Sequence, residues 1–261
     1  MPLSPRILGA AVVIAGQAPA VRPSWLPANK ARRLDPLTLL AAEAVGRLGG
    51  TWHPEAAVVV GSAWGCVTST LRFVDDVRAF GDAGGSPAAF STSVHHNPAG
   101  SLGELLQAHG PAATISQESQ SGLAALRWAG LLVASGRAPE VLVVATDLAN
   151  PWTMRTVAAL GQCPFPIAGG ATSLRLGCGR GRPFSFAPPP SDLLHCDAGG
   201  MTPGQECSLA RRASRRCAAV VHGCWWPTAA LAAVPWDEDV EVVVDESRGQ
   251  AKVTAWIGRV S

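Results

Sequence analysis

The stretch GPAATISQESQSGLAALRWAGLLVASGRAPEVLVVATD, residues 110–147, decides the fold. It begins with a short strand, which leads into a tight polar turn around Ser119. An apolar helix is predicted over about residues 120–135, and Gly136 ends it. Residues 141–146 are wholly apolar apart from a final Thr, which is typical of a strand buried on both faces of a sheet.

Further strands and helices surround this unit in alternation. We predict strands over residues 7–15, 56–61 and 171–176, and helices over residues 37–48, 67–79 and 100–108. Asp35 is the predicted N-cap of the first of these helices, with Pro36 at its first position. Residues 90–94 are predicted as a short helix or an extended segment. The alternation predicts an α/β layered domain with buried strands.

After Gly177 the character of the sequence changes. Three prolines at 188–190 mark a loop, a helix is predicted over residues 206–221, and residues 240–244 and 251–260 are predicted to pair as a hairpin. We therefore divide the chain into residues 1–176, an α/β domain, and residues 177–261, a segment that packs on the same domain. Four tryptophans of this segment are predicted to cover part of an apolar face: Trp225, Trp226, Trp236 and Trp256.

The composition argues against a nucleic-acid partner. Hydrophobic residues make up 48% of the 261 residues, charged residues make up 15%, and the formal net charge is +2. A groove that follows phosphates needs a clustered excess of Lys and Arg. One local cluster with helical spacing is open to two interpretations, a solvated helix face or an anion site: Arg211, Arg212, Arg215 and Arg216.

The cysteines and the N-terminus bear on localisation. The seven cysteines include no C-x-x-C pair and no matching His spacing, so we predict no metal site, no disulfide framework and a reduced, cytoplasmic protein. The apolar run at residues 7–16 fits a secretory signal peptide or a buried strand, and Gly9, Gly16 and its β-branched residues favour the strand. No run reaches the roughly 20 apolar residues of a membrane span.

Ser119 has two interpretations. A nucleophile at the start of a long helix is acidified by the helix dipole, and its developing oxyanion finds free backbone N–H groups. A serine at this place is also a common N-cap. A Ser nucleophile needs a base, and the adjacent Glu118 is expected to point away across a sharp turn. The residues alone leave both roles open.

Residues 110–147 resemble the nucleophile segment of β-ketoacyl synthases of the thiolase-like fold. The upstream segments FSTSVHHNPAGSLGELL and VVVGSAWG are similar to the family segments that precede it, and the likeness covers roughly residues 7–176. The resemblance implies a layered α/β/α fold equivalent to the N-terminal half of a ketosynthase, with a truncated and divergent C-terminal part. Ser119 occupies the position of the family's nucleophilic Cys.

Departures from the family point to one of its branches. A hydroxyl is mostly un-ionised at pH 7, so the ready nucleophile is lost. The tight turn around Ser119, which we call the elbow, is followed in the sequence by His195 and His222. Neither histidine has the Gly-rich context of the family's catalytic histidines. The chain therefore resembles a short chain-length factor of type II polyketide or aryl polyene systems, a pseudoenzyme of fatty-acid-like biosynthesis. The resemblance implies no cofactor, no metal and no activity alone.

The resemblance also implies a heterodimer with a full-length ketosynthase, which would bind the acyl carrier protein. The strand before the elbow and residues 90–98 are expected to meet this partner. The predicted elbow and interface residues are Gln117, Glu118, Ser119, Gln120, Phe90, His95, His96 and Asn97. Two other functions stay open: an acyltransferase or hydrolase that uses Ser119, and a homodimeric module that binds acyl carrier protein.

Overall fold

In the computed structural model, the described residues are 4–16, 23–117, 120–159, 169–187, 240–244 and 253–257. The strands are β1 (Arg6–Gly16), β2 (Ala57–Gly61), β3 (Ala112–Ile115), β4 (Glu140–Asp147), β5 (Gly169–Gly177), β6 (Arg182–Ala187), β7 (Val240–Val244) and β8 (Val253–Ile257). The helices are α1 (Ala28–Ala31), α2 (Pro36–Leu48), α3 (Val67–Phe80), α4 (Pro87–Ser93), α5 (Asn97–Leu106), α6 (Ser121–Ala134) and α7 (Pro151–Ala159).

The described strands form a mixed sheet in the order β3-β2-β4-β5-β1-β6-β8-β7. Strand β2 is parallel to β3 and β4, whereas β5 is antiparallel to β4 and to β1. Strand β6 joins β1 through two residue pairs and then pairs with β8. The predicted pairing of residues 240–244 with the strand after them is confirmed as the antiparallel pair β7–β8.

Helices cover both faces of the central strands, because alternate residues of buried strands point to opposite faces. On one face, α6 packs through Leu126 and Ala129 against Val59 of β2 and Val143 of β4. On the other face, α2 and α5 pack against the intervening residues of the same strands. The predicted α/β/α layering is therefore confirmed.

The helix starts show where local sequence sets the structure. The Asp35 carboxylate accepts hydrogen bonds from the backbone N–H groups of Leu37 at 2.9 Å and Thr38 at 3.1 Å, so its predicted role as the N-cap of α2 is confirmed. Residues 87–93 form a helix, the first of the two structures predicted around Phe90. Helix α5 begins three positions earlier than expected, at Asn97.

Several sequence predictions fall outside the described residues. They include the helix at 206–221, the tryptophans at 225, 226 and 236, and His195 and His222. The division of the chain at residue 176 also stays a prediction.

Candidate functional site

Three parallel strands end at the same edge of the sheet. Strand β2 ends at Gly61, β3 at Ile115 and β4 at Asp147. The backbone N–H of Ser62 donates to the carbonyl of Ile115 at 3.1 Å, so the chain leaving β2 stays close to the end of β3. In open α/β sheets, ligands usually bind at this carboxyl edge.

A buried carboxylate organises the turn that follows β2. Asp147 is 3% exposed, and one of its oxygens accepts from the Ser62 hydroxyl at 2.8 Å. The same oxygen accepts from the backbone N–H groups of Ala63 at 3.0 Å and Trp64 at 3.1 Å. The Ser62 hydroxyl in turn accepts from the N–H of Gly65 at 2.8 Å. This arrangement holds a turn in place rather than presenting a base to a substrate.

The elbow before α6 lies directly against this turn. A Cβ at Gly61 would lie 2.4 Å from the carbonyl oxygen of Ser121, so only glycine lets β2 pass this close to the start of α6. The Ser121 hydroxyl accepts from the backbone N–H of Gln117 at 2.7 Å, which closes the elbow.

The polar residues of the elbow have different positions. Gln117 is exposed, whereas Gln120 is 3% exposed and occupies the N-cap position. The Gln120 backbone is already helical (φ −85, ψ −5), and its side chain makes no capping hydrogen bond to α6. Glu118 and Ser119 lie outside the described residues.

His95 packs on the turn after β2. A Cβ at Gly65 would lie 2.4 Å from Nδ1 of His95, and Gly65 has φ +57, so glycine is favoured there for both reasons. The His95 and His96 side chains are exposed, and neither makes a side-chain hydrogen bond within the described part of the chain. His95 therefore lies on the surface of the turn after β2.

A second buried carboxylate lies at the start of α5. The amide nitrogen of Asn97 donates to Oδ2 of Asp35 at 2.9 Å, and the Thr38 hydroxyl donates to the same oxygen. Burial raises the pKa of Asp35, and the hydrogen bonds from Thr38 and Leu37 oppose this effect. The thiol of Cys66 is 2% exposed. Burial and the neighbouring Asp35 raise its pKa, so it stays protonated and is a poor nucleophile.

Phe90 belongs to a helical hairpin made of α3, the turn at Asp82–Gly84, and α4. Its ring lies 5.5 Å from the ring of Phe73, and its side chain is 55% exposed. Phe80, at the end of α3, is 74% exposed. The hairpin therefore presents aromatic side chains to solvent.

Sequence reasoning missed most of the residues that build this site. The sequence does mark Asp147 as unusual, since an acidic residue directly after a predicted buried strand needs hydrogen-bond donors. Its donors come from 83–85 residues earlier in the chain, so no local pattern identifies them. The edge-to-face contact of Trp64 and Trp152, with ring centroids 5.8 Å apart, is equally non-local.

Two features bear on whether the described residues can do chemistry: a His paired with a nucleophile, and a group of metal ligands. In residues 4–16, 23–117, 120–159 and 169–187, no His side chain is hydrogen-bonded to a hydroxyl or thiol. The same residues contain no group of three or more His, Cys, Asp or Glu that could hold a metal ion.

Among the described helices, none is long and apolar enough to cross a membrane.

The topology and the elbow define a thiolase-like ketosynthase fold. A family profile described as "Beta-ketoacyl synthase, N-terminal domain" matches residues 9–187. The chain belongs to this family. No protein of curated function matches the chain in sequence.

Solved structures share the fold at low sequence identity. A chain of "the ishigamide ketosynthase/chain length factor" is 16% identical with a TM-score of 0.71, and the match covers 99% of this chain and 100% of that one. A chain from the ketosynthase ApeO in complex with its chain length factor ApeC, from Xenorhabdus doucetiae, is 17% identical with a TM-score of 0.63; the match covers 97% and 99%.

A third structure includes a carrier protein. It is AntDE:AntF, a type II PKS acyl-carrier protein in complex with its ketosynthase, with 16% identity and a TM-score of 0.55. The match covers 72% of this chain and 71% of that one. At these identities the likeness establishes the fold.

Proposed function

We propose that this chain is a non-catalytic, chain-length-factor-like subunit that pairs with an active β-ketoacyl-ACP synthase. The partner supplies the nucleophile and binds the acyl carrier protein, and this chain shapes the tunnel for the growing acyl or polyene chain. The pair would act in the cytoplasm in polyketide or fatty-acid-like biosynthesis. Matched structures that contain a ketosynthase with its chain length factor support this proposal.

The open edge of β3 is the observation that carries the proposal. Among the described strands, β3 pairs with β2 alone and ends the sheet. Its first residue, Ala112, and the following Ser116 and Gln117 are exposed. An unpaired strand edge is a template for another strand, and monomeric proteins usually protect such edges with charge or proline. Ala112–Ile115 contains neither.

The aromatic hairpin extends the surface that a partner would cover. Phe90 and Phe73 are in contact, and Phe90 exposes more than half of its side chain. Aromatic residues are enriched in the buried centres of interfaces. A permanent heterodimer needs an interface of about 2,000 Å² or more, which a strand edge alone does not provide. We therefore include Phe90, His95 and His96 in the interface together with the elbow.

The lack of a thiol at the elbow supports a non-catalytic role. The sequence has Ser119 where the family has its nucleophilic Cys. Cys66 does not replace that residue, because its thiol is buried and its pKa is raised. Acyl transfer would thus depend on the partner subunit.

Co-expression with a full-length ketosynthase tests the pairing. We expect a stable heterodimer with the wild-type chain and at least a tenfold weaker one with Phe90→Asp, because a carboxylate cannot be desolvated cheaply in an interface. Leu131→Asp is the matched control, because Leu131 is also 55% exposed but lies on α6. Monomeric wild-type chain in the presence of the ketosynthase would refute the proposal.

The open edge of β3 also fits a second copy of this chain, so a homodimeric module that binds acyl carrier protein is the second candidate. Light scattering with and without the ketosynthase separates the two. A homodimer that persists in the presence of the ketosynthase favours the module. Intact-mass analysis after exposure to acyl carrier protein thioesters tests the Ser119 alternative: an acyl adduct that disappears in Ser119→Ala would establish a catalytic role.

A further inference from the structure

The helical hairpin made of α3 and α4 is connected to the rest of the chain at its two ends, which we call its roots. The chain enters it at Cys66, before α3, and leaves it between Ser93, at the end of α4, and Asn97, at the start of α5. Between the roots, α3 packs mainly against α4 and the turn at Asp82–Gly84. Ser69 is the single buried residue of α3, and α4 has none. The orientation of the hairpin therefore depends on what holds its roots.

Both roots meet the carboxylate of Asp35. Asn97, at the exit root, donates its amide to Oδ2 at 2.9 Å. Burial and the neighbouring Asp35 carboxylate raise the pKa of the Cys66 thiol, so the entry root also lies beside this carboxylate. Asp35 is 4% exposed and Cys66 is 2% exposed, so solvent does not screen these contacts.

The contact with Asn97 goes beyond what a helix cap requires. Oδ1 of Asp35 already accepts from the N–H groups of Leu37 and Thr38, which satisfies the start of α2. Oδ2 is left to accept from Asn97 and the Thr38 hydroxyl. One side chain thus joins α2, which lies on the sheet, to the two ends of the hairpin.

Two further contacts join the roots to each other. The Thr70 hydroxyl, in the first turn of α3, lies 3.3 Å from the carbonyl of Ser93. The His95 ring packs on Gly65, immediately before the entry root. These contacts close the loop between the roots but do not reach α2. Nδ2 of Asn150, which follows β4, donates to the Thr68 hydroxyl in the first turn of α3 at 3.2 Å, so the entry root is also tied to the end of β4. Asp35 is the side chain that links the roots to α2.

We propose that Asp35 is a positioning residue that sets the orientation of the α3–α4 hairpin, and with it the Phe73–Phe90 surface, for the ketosynthase partner. This inference rests on the proposed function for its partner. The inference has two halves. The structural half is that Asp35 holds both roots of the hairpin, an arrangement that we call the clamp, and it does not depend on any partner. The two halves can therefore be tested separately.

Asn97→Ala removes the exit root from the clamp and leaves the cap of α2 intact. We expect hydrogen exchange of amides in residues 67–93 to rise about tenfold, the effect of losing a buried hydrogen bond to a charged group, while α2 and α6 keep their protection. Ser101→Ala is the matched control, because it removes the other side-chain hydrogen bond of Asn97, a 3.2 Å contact to Oδ1, and leaves Asp35 untouched.

The entry root offers a pair of variants. Cys66→Ser keeps a hydrogen-bond donor of similar size beside Asp35, whereas Cys66→Ala removes it. We expect the hairpin to exchange faster in Cys66→Ala and close to the wild-type rate in Cys66→Ser. Unchanged exchange in both Cys66→Ala and Asn97→Ala would overturn the clamp.

Affinity for the ketosynthase completes the test. We expect Asn97→Ala to weaken the heterodimer about tenfold, with thermal unfolding of the sheet nearly unchanged. Faster hairpin exchange with wild-type affinity would overturn the positioning role while the clamp stands. If the wild-type chain does not bind the ketosynthase, the proposed function and the positioning role fail together, and the exchange data still decide the clamp.

Discussion

Apolar residues are buried in the central sheet, whereas several are exposed in the α3–α4 hairpin. In β2 every residue is buried, and in β4 the seven residues after Glu140 are buried. In the hairpin, by contrast, Phe80 is 74% exposed and Phe90 55% exposed. The sheet stabilises the chain by removing apolar area from water, whereas the hairpin leaves part of its apolar area in water.

The position of a segment in the sequence does not determine how deeply the segment is buried. The hairpin is inserted between β2 and α5, both of which supply residues to one buried core cluster, yet the hairpin itself contributes little to the core. Exposed apolar surface of this kind is typical of an interaction surface. The following predictions test the separation of the two regions, from the largest expected effect to the smallest.

Leu126→Ala should destabilise the chain far more than Phe80→Ala. Leu126 is 0% exposed between α6 and the sheet, so its removal leaves a cavity and should cost about 2–5 kcal/mol. Phe80 is mostly in water, and its loss should change the free energy of unfolding by less than about 0.5 kcal/mol. Urea unfolding followed by circular dichroism measures both. Similar losses for the two variants would show that the hairpin is part of the core.

Gly61→Ala should cost about 3 kcal/mol, at the upper end for overpacking, because the added Cβ meets backbone atoms of Ser121 and Gly122 that cannot rotate away. Gly100→Ala is the control. A Cβ there meets nothing within 4 Å, and Ala is favoured over Gly in a helix by about 0.5–1 kcal/mol, so this variant should be slightly more stable. The same denaturation curves give both values, and equal destabilisation would contradict the close packing of the elbow.

Asp147→Ala should cost about 2 kcal/mol. It removes the acceptor of the Ser62 hydroxyl and of two backbone N–H groups in a buried turn. Glu104→Ala changes an exposed carboxylate on α5 and should be neutral within about 0.5 kcal/mol. A loss in Asp147→Ala no larger than in Glu104→Ala would show that the turn after β2 holds without its carboxylate.

The sheet could be predicted from the sequence because its signals are local. Continuous apolar runs identify β2 and β4, and Asp35 with Pro36 marks the start of α2. Helix α7 was missed although Asn150 and Pro151 carry the same signal: the Asn150 side chain accepts from the N–H groups of Trp152 and Thr153, each at 2.9 Å.

The site could be predicted only in part. The apolar positions 67, 71, 74 and 77 of α3 indicate an amphipathic helix on a core, but they are half-buried within the hairpin. Periodicity shows that a helix has an apolar side, and it does not show what covers that side. The contact between Asp35 and Asn97 spans 62 residues, and a link of that length comes from the tertiary fold.

The smallest expected effect is the contribution of the Asp35 carboxylate to the pH dependence of the free energy of unfolding. Burial is the largest influence on Asp35 and raises its pKa above the usual 3.8. Between pH 3.8 and that raised value the folded chain binds a proton that the unfolded chain has released, so the free energy of unfolding falls as pH rises through this window. In Asp35→Asn, the contribution of this group to the slope disappears.

Urea unfolding of the wild type and Asp35→Asn at several pH values from 3.5 to 7 measures that contribution, and subtracting the curves cancels the other carboxylates. Asp75→Asn, a change at an exposed acid on α3, is the control and should keep the wild-type slope. A wild-type curve that rises relative to Asp35→Asn across the window would mean that the donors from Leu37, Thr38 and Asn97 outweigh burial. The clamp would then hold the hairpin most firmly with Asp35 ionised, since an anionic carboxylate is the stronger acceptor.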